Sequence, residues 1–267
     1  MTAESVFDDT VSRKLEAAYL TSDVVQQRRA TLRALVLRPG ERVLDVGSGP
    51  GLLAAEMAQA VGPAGHVTGI DISDSMLTLG QRRCADLDGA GRASFVKADA
   101  TALPFSDATF DVAVSTQVYE YVADLTTALA ELHRVLRPGG RALILDTDWD
   151  SIVWHATDPD RMRQVLAAWT QRFADPHLPR TLASQLRAAG FQVSHHDVLV
   201  LLNPEYDPDS YSVANGEIMA DFAVSRGSLS RDQADAWRAD LHQLGREGRY
   251  FFSLNRYLFL ARRVAAT

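Results

Sequence analysis

Three observations in the sequence predict an α/β protein built on a doubly wound sheet. Residues 43–51 read Val-Leu-Asp-Val-Gly-Ser-Gly-Pro-Gly, so a strand-forming stretch runs into a glycine cluster, and residues 52–61 continue with a helical pattern. Short apolar stretches and helical stretches then alternate as far as Leu145. Residues 250–263 close the chain with alternating aromatic residues, which is typical of an antiparallel strand.

The order of the elements follows from the same patterns. Strands are predicted at residues 43–46, 66–70, 93–98, 110–115, 141–145, 190–202 and 250–263, and helices at 11–19, 22–37, 52–61, 124–136, 161–173 and 181–189, with one more opening at Ser73 or Asp74. Ser230 and Gln233 have the spacing of a capping box and predict a further helix. We predict one domain over residues 1–267, with a helical cap at 1–38, a ligand-binding core at 40–146 and helical insertions on the substrate side at 147–190 and 203–249.

Composition excludes several classes of function. The chain of 267 residues carries a net charge of -7 and no dense run of Lys or Arg, which argues against long nucleic acid as a partner. Its single cysteine, Cys84, excludes an internal disulfide and a cysteine-based metal cluster, and we predict no metal site. The sequence has no apolar run long enough to cross a bilayer and no secretion signal at its start, so we expect a cytoplasmic protein that does not bind membranes.

The glycine cluster predicts a site for a small cationic molecule. Gly47, Gly49 and Gly51 remove side chains where the backbone turns and where a ligand approaches it, and the following helix offers unpaired N–H groups. Asp45 precedes the first glycine by two residues and would repel a diphosphate. The dinucleotide fingerprint also fails, because Leu52 stands where its third glycine belongs.

Polar residues follow the other predicted strands. Asp71, 20 residues past Gly51, ends the second strand, where its carboxylate could accept hydrogen bonds from ribose hydroxyls. Ser115, Thr116 and Gln117 end the fourth strand at the edge of the sheet where doubly wound proteins bind ligands.

These motifs together resemble those of class I S-adenosylmethionine-dependent methyltransferases, most closely the ubiquinone/menaquinone-biosynthesis type. The motifs are Asp45-x-Gly47-x-Gly49-x-Gly51, Asp71, Asp99-Ala100, Phe110-Asp111 and Leu136-Arg-Pro-Gly-Gly. The resemblance covers about residues 40–146 and, more loosely, the last strand. It implies a Rossmann-like sheet of seven strands with the last strand antiparallel, and S-adenosylmethionine as the cofactor.

The resemblance also implies roles for single residues. Asp45, Gly47, Gly49 and Gly51 would surround the methionine moiety, Asp71 the ribose, and Asp99 with Ala100 the adenine, while Ser48 fits the Cys or Ser that relatives carry between the first two glycines. We add Tyr19 and Arg28 from the helical cap, Ile72, and Met76 along the adenine, although Tyr19, Arg28 and Met76 are equally compatible with packing roles. One departure concerns the substrate side, since many relatives have a Glu-His pair where this chain has Glu120-Tyr121.

The substrate side is less defined. His155, Asp148 and Tyr119 are the candidates for a general base, and Trp149 and Trp154 could form an aromatic wall, although structural roles are the alternative for each. We predict methyl transfer to an O, N or C atom of a small, apolar or aromatic metabolite by a monomer or homodimer. The alternative is a cyclase or binding protein that retains the cofactor without methylating, and a nucleotide-dependent oxidoreductase is disfavoured by Leu52 and Asp45.

Overall fold

The computed structural model describes residues 16–85, 87 and 92–264. Its helices are α1 (Ser22–Leu35), α2 (Leu52–Val61), α3 (Asp74–Ala85), α4 (Leu125–Val135), α5 (Pro159–Thr170), α6 (Pro179–Ala188), α7 (Tyr211–Ser225) and α8 (Arg231–Arg246). Its strands are β1 (Arg42–Val46), β2 (His66–Asp71), β3 (Ala93–Lys97), β4 (Phe110–Thr116), β5 (Leu136–Thr147), β6 (Val153–Trp154), β7 (Phe191–Asn203) and β8 (Phe252–Arg263). Residues 11–15 of the first predicted helix lie outside the described residues, and residues 16–19 are helical.

The sheet has the predicted doubly wound, Rossmann-like order. β3, β2, β1, β4 and β5 pair in parallel, and β8 joins β5 as an antiparallel strand with β7 on its far side. β1 is central, because Asp45 faces Gly69 of β2 and Val114 of β4. The α/β prediction with an antiparallel last strand is therefore confirmed.

Two strands differ from the sequence prediction. Leu136 already pairs with Phe110, so β5 begins before the predicted Arg141, and Arg137-Pro-Gly-Gly bulges out ahead of the next pair. The sheet also has an eighth strand, β6, which is two residues long. After β5 ends, a 3-10 turn at Trp149–Ser151 interrupts the pairing with β8, and β6 then pairs with β8 again.

Successive side chains of the central strands point to opposite faces of the sheet and pack into two separate hydrophobic cores. Leu44 and Val46 of β1 pack with α4 and α6 on one face, whereas Val43 packs with α1 and α2 on the other. A third core joins the insertions α5, α7 and α8 to the starts of β8 and β6. The insertions therefore form a cover beside the carboxyl ends of the parallel strands, where a cavity opens.

The capping box of α8 is present as predicted. The Ser230 hydroxyl accepts from the Gln233 amide, and the Gln233 side chain accepts from the Ser230 amide. No helix of the described ranges has the length and apolarity that crossing a membrane requires.

Candidate functional site

A cavity of about 460 Å³ lies at the carboxyl ends of β1, β2 and β4. This volume lies within the roughly 300–1,000 Å³ that is typical of sites for small molecules. Twelve of the residues predicted to bind a cofactor line it, namely Tyr19, Arg28, Gly47, Ser48, Gly49, Asp71, Ile72, Met76, Asp99, Ala100, Thr116 and Gln117. Three predicted residues, Asp45, Gly51 and Ser115, do not line it.

The three glycines of the loop have different roles. All have positive φ, at 69° for Gly47, 51° for Gly49 and 74° for Gly51. A Cβ atom at Gly49 would meet nothing within 4 Å, whereas one at Gly51 would lie 2.7 Å from the Cα atom of Gly80 in α3. Gly49 therefore leaves room for a ligand, and the assignment of Gly51 to ligand contact is corrected to close packing of the loop against α3.

Asp71 joins the glycine loop to the end of β2. Its Oδ2 atom accepts from the Gly49 amide at 2.9 Å, and its Oδ1 atom accepts from the Ser73 amide at 2.9 Å. Burial raises the pKa of Asp71, and these backbone N–H groups oppose that rise. Each carboxylate oxygen keeps a further lone pair, so both could still accept from hydroxyl groups of a ligand.

Asp45 lies beneath the loop rather than in the cavity wall. It is 2% exposed, and its Oδ2 atom has no hydrogen-bond partner in the described part of the chain. Burial, with a smaller contribution from the negative charge of Asp71, raises the pKa of Asp45 to about 7. Asp45 therefore does not line the cavity, and we expect it to act on a ligand through its charge rather than by direct contact.

The end of β4 turns sharply at the cavity. Gln117 has a φ of 59°, unusual for a residue with a side chain, and both its backbone amide and its side-chain amide donate to the Leu145 carbonyl, at 2.8 and 3.2 Å. This turn leaves Thr116 and Gln117 in the cavity wall. Ser115, the residue before Thr116 in β4, is buried together with its hydroxyl and does not line the cavity, so its placement in the site is corrected.

Another part of the cavity wall is formed by the turn after β3, which carries the two residues predicted to contact adenine. Asp99 Oδ1 accepts from the Thr101 amide at 2.8 Å and from its hydroxyl at 2.7 Å, which fixes the carboxylate at the cavity. Its Oδ2 atom is the one left for a ligand donor, and Ala100 lies beside it in the wall. Met76, at the start of α3, is 3% exposed and also lines the cavity.

The helical cap supplies Tyr19 and Arg28. Arg28 donates from Nε to Glu56 of α2 at 2.7 Å and from Nη1 to the Tyr19 carbonyl at 3.0 Å, which holds α1 over the loop. Burial raises the pKa of Tyr19 to about 12, so its hydroxyl stays protonated at neutral pH.

None of the three candidate bases reaches the cavity wall. Asp148 accepts from Arg180 at 2.7 Å and lies 3.1 Å from His177, and these contacts hold its pKa below the ordinary value against the opposing effect of burial. His155 is exposed beyond β6, and Tyr119 is buried in the core under α4, where desolvation raises its pKa far above neutral. We correct all three assignments, since a base must reach the proton that it removes.

The two tryptophans belong to the cover's core. Trp149 stacks on Phe173 with 5.0 Å between ring centroids and donates from Nε1 to Glu120 at 3.2 Å. Trp154 packs edge-on against Trp237 and Phe252. The predicted aromatic wall is therefore corrected, because both side chains are at least nine-tenths buried and neither lines the cavity.

Four further residues line the cavity, and of these only Gln27, a polar group that the helical cap could present to the cleft, was considered from the sequence. Gln27, Tyr121, Arg172 and Arg256 all line the cavity. Arg256 lies at a buried position of β8 beside the end of β5. An arginine among the apolar residues on the buried side of this strand is the one local sequence feature that indicates a functional role for any of the four residues. The other three come from separate segments that only the fold brings together.

The sequence was compared with known families and proteins. Residues 43–140 match a family model described as a methyltransferase domain. An uncharacterized 37.1 kDa protein in transposon Tn4556 of Streptomyces fradiae is 37% identical over 196 residues, covering 71% of this chain and 54% of that protein. A ubiquinone/menaquinone biosynthesis C-methyltransferase of Ectopseudomonas mendocina is 44% identical over 119 residues, covering 45% of this chain and 46% of that enzyme. The chain thus spans about half the length of these relatives.

Solved structures share the fold at low identity. Phosphoethanolamine N-methyltransferase 2 of Haemonchus contortus, solved with S-adenosylhomocysteine, has a TM-score of 0.64 at 19% identity, covering 98% of this chain and 59% of that one. The [4+2]-cyclase SpnF has a TM-score of 0.60 at 22% identity, covering 91% and 82%. The matched methyltransferase domain spans the glycine loop, Asp71 and the end of β4. The chain has the fold of the class I S-adenosylmethionine-dependent methyltransferases.

Proposed function

We propose that this protein binds S-adenosylmethionine at the glycine loop and transfers its methyl group to a small molecule held in the same cavity. The observation that carries the proposal is the pairing of an open position at Gly49 with a buried carboxylate oxygen of Asp45 that lacks a partner among the described residues. The first leaves space for a ligand against the backbone, and the second favours a positive charge there. A sulfonium amino acid has both the size and the charge that these features select.

The chain's residues would hold the cofactor along the sheet edge. Asp71 would accept from the ribose hydroxyls, Asp99 from the adenine amine, and Ala100 would donate its N–H to a ring nitrogen, with Met76 against the ring face. Arg28 and the loop amides would face the carboxylate of the methionine moiety. α1 and the insertions would keep water away from the reacting atoms.

When bound, the cofactor would supply a methyl carbon that is already activated by its positive sulfur. An electron pair of the acceptor would form the new bond to this carbon, and the electron pair of the broken carbon–sulfur bond would stay on sulfur, which becomes a thioether. Any proton on the acceptor would pass to solvent. The protein's contribution is alignment of the two partners, which can supply several kcal/mol, up to roughly 7–11, of the lowered barrier. The two tyrosine hydroxyls of the wall, Tyr19 and Tyr121, are unsuited to proton removal at neutral pH because burial raises the pKa of both. We therefore propose an acceptor that needs little help from a base.

The nature of the acceptor follows from the cavity's size and lining. The remaining space is bordered by Val24, Val118, Tyr121 and Val122, which suits a small molecule with an apolar or aromatic body. With a net charge of -7, nucleic acid is not part of the proposal. We also propose that the protein is cytoplasmic, forms one domain and acts as a monomer or homodimer.

The test is a methyl-transfer screen with the purified protein. Isotope-labelled S-adenosylmethionine is incubated with a fractionated metabolite extract, and products are read by mass shift together with release of S-adenosylhomocysteine. Labelled product from the wild type, absent with Gly49→Val, supports the proposal. A protein that does not bind S-adenosylmethionine contradicts it.

A second candidate is a cyclase or binding protein that keeps the cofactor without consuming it. Two observations favour retaining this alternative: the three candidate bases lie outside the cavity wall, and SpnF, named as a cyclase, shares the fold. It predicts tight cofactor binding with no release of S-adenosylhomocysteine while the extract is transformed.

A further inference from the structure

The end of the cavity opposite the glycine loop carries two arginines whose Nε atoms have no hydrogen-bond partner among the residues that the structure describes. Arg256, in β8, is 3% exposed, donates from Nη1 to the Gln27 side chain, and lies with its guanidinium carbon 4.7 Å from the centroid of the Tyr211 ring. Its Nε atom is buried and finds no hydrogen-bond acceptor within the described ranges. Arg256 nonetheless lines the cavity.

Arg172, which follows α5, repeats this arrangement. Its guanidinium carbon stands 4.2 Å from the centroid of Trp169 and 5.4 Å from that of Tyr121, and its Nε atom is also buried without an acceptor in the described residues. Neither arginine forms a salt bridge with a carboxylate of the residues that the structure describes. The aromatic faces attract the cations, and the Tyr211 hydroxyl is a further hydrogen-bond partner of Arg256. The Nε atoms of both arginines still find no acceptor in the described part of the chain.

Arg256 is a buried cation without a paired anion, which is costly. Arg172 adds a second cation to the same wall, partly exposed as a residue but with a buried Nε atom, so the two together need an explanation. Arginine keeps its charge at every physiological pH, so neither side chain can avoid this cost by losing its proton. Glu120 and Asp146 are the buried acids behind Arg256, but they accept from the Thr147 and Val118 amides at 3.3 and 3.0 Å, and burial raises the pKa of both. They therefore balance the two cations only in part.

The cavity has opposite charges at its two ends. Asp71 lines the cavity at the glycine loop after β1, with Asp45 beneath the loop. Arg256 belongs to β8, three strands from β1 in the sheet order, and Arg172 lies beside Tyr121, after β4, so the two arginines border the far end. A cationic cofactor on the loop leaves the arginine end for a negatively charged partner, and the planar guanidinium fork matches a carboxylate or phosphate.

We infer that the methyl acceptor carries an anionic group, a carboxylate or a phosphate, which binds Arg172 and Arg256 at the end of the cavity away from the cofactor. The inference rests on the proposed function and narrows its substrate class from small apolar or aromatic molecules to aromatic or apolar anions. The arginines act by binding and positioning the acceptor, while its apolar body packs against Tyr121 and Val24.

The experiment measures anion preference directly, with the protein loaded with S-adenosylhomocysteine. Benzoate, its neutral analogue benzamide, and phenyl phosphate are titrated by ligand-observed NMR, with calorimetry for the tighter ones. Wild type should bind benzoate or phenyl phosphate at least tenfold more tightly than benzamide. The tighter of the two anions assigns the acceptor's group as carboxylate or phosphate.

Two variants and a matched control localise the effect. Arg172→Gln should abolish the preference while leaving cofactor affinity within threefold, and Arg256→Gln should do the same if it folds. Arg226→Gln is the control, because Arg226 and Arg172 lie at the same 5.6 Å from the centroid of the Phe222 ring but Arg226 is outside the cavity wall. Its anion preference should match that of the wild type.

Three results would overturn the inference. The first is wild-type binding of both anions, benzoate and phenyl phosphate, no tighter than binding of benzamide. The second is an anion preference that survives in Arg172→Gln. The third is a loss of tenfold or more in S-adenosylmethionine affinity in Arg172→Gln, which would assign the arginine to the cofactor's own carboxylate. A wild-type protein that fails to bind S-adenosylmethionine contradicts the proposed function instead, so the two failures are distinguishable.

Discussion

The two ends of the cavity are assembled in different ways. The glycine-loop end, made of residues 46–50 and Asp71, comes from one strand–turn–helix unit and the strand after it. The arginine end, made of Gln27, Tyr121, Arg172 and Arg256, takes one residue each from α1, the 3-10 turn after β4, the segment after α5, and β8. The first is local in sequence, and the second exists only in the folded chain.

This difference explains which functions each end can determine. A loop whose backbone needs positive φ and whose neighbours are fixed by β1 and β2 recognises a ligand common to a whole family. Side chains delivered by insertions can change without disturbing that loop, and they select the partner molecule. The cofactor therefore follows from the geometry of the sheet edge, and the acceptor from the side chains of the arginine end.

Replacing Gly49 should have the largest effect. Gly49→Val places a branched side chain in the cavity at a φ of 51°, so S-adenosylmethionine affinity should fall at least a hundredfold, about 2.7 kcal/mol. Calorimetry measures it. Gly227→Val is the matched control, since Gly227 has a φ of 70° and equally open surroundings but lies outside the cavity wall. A folded Gly49→Val protein with normal affinity would remove the loop from the site.

The residues of the glycine-loop end were more predictable from the sequence than those of the arginine end. Asp71 and Gly49 were predicted because glycine spacing and a strand end specify their geometry within a short stretch. Gly51 was misassigned because its need for a bare Cα arises from Gly80 in another helix. Trp149 and Trp154 were misassigned because an unusual composition after β5 marks the core of the insertions as readily as a site.

The fold itself was predictable to within a few residues at most boundaries. Alternating apolar positions such as Val43 and Leu44 pack against opposite faces of the sheet, and this pattern is visible in the sequence. Arg172 and Arg256 could not be found this way, since no periodicity relates a residue after α5 to a residue of β8. Only the tertiary arrangement brings their charges together.

Removing the Asp71 carboxylate should have the next largest effect. Asp71→Ala deletes both the tie to the Gly49 amide and the predicted acceptor for ribose, and hydrogen bonds to a charged group are worth about 1.5–3 kcal/mol, so affinity should fall roughly 10- to 100-fold. Wild type should also prefer adenosine over 2′,3′-dideoxyadenosine, and the variant should not. Unchanged affinity in calorimetry, or a ribose preference that persists in the variant, would contradict the role.

Asp45 gives a smaller effect that depends on pH. Its pKa of about 7 means that its negative charge is present above neutral pH, so the affinity of the wild type for S-adenosylmethionine should rise by up to about tenfold, or 1.4 kcal/mol, between pH 6 and 8. In Asp45→Asn the profile should be flat. An equally steep profile in Asp45→Asn would assign the titration to another group.

The same pKa predicts a stability effect of defined sign. Because folding raises the pKa of Asp45 from 3.8 to about 7, the native state loses stability as pH rises through this window. Asp45→Asn should therefore unfold at a higher temperature than wild type at pH 8, by several degrees, and at nearly the same temperature at pH 4. Circular dichroism measures both, with the exposed Asp197→Asn as a control that should show no difference at either pH.

The smallest effects are expected at the residues that the structure moves out of the site. His155→Gln changes an exposed side chain outside the cavity wall, so cofactor affinity and turnover with an acceptor from the screen should stay within about twofold, or 0.4 kcal/mol. Asp148→Asn weakens the ion pair with the half-exposed Arg180 and should lower the thermal stability, with an unchanged pH–rate profile. If either variant loses a hundredfold in turnover together with one limb of that profile, the residue reaches the acceptor in the working enzyme. The segment after β5 would then move toward the cavity during the reaction, and the division between a local cofactor end and a remote substrate end would have to include it.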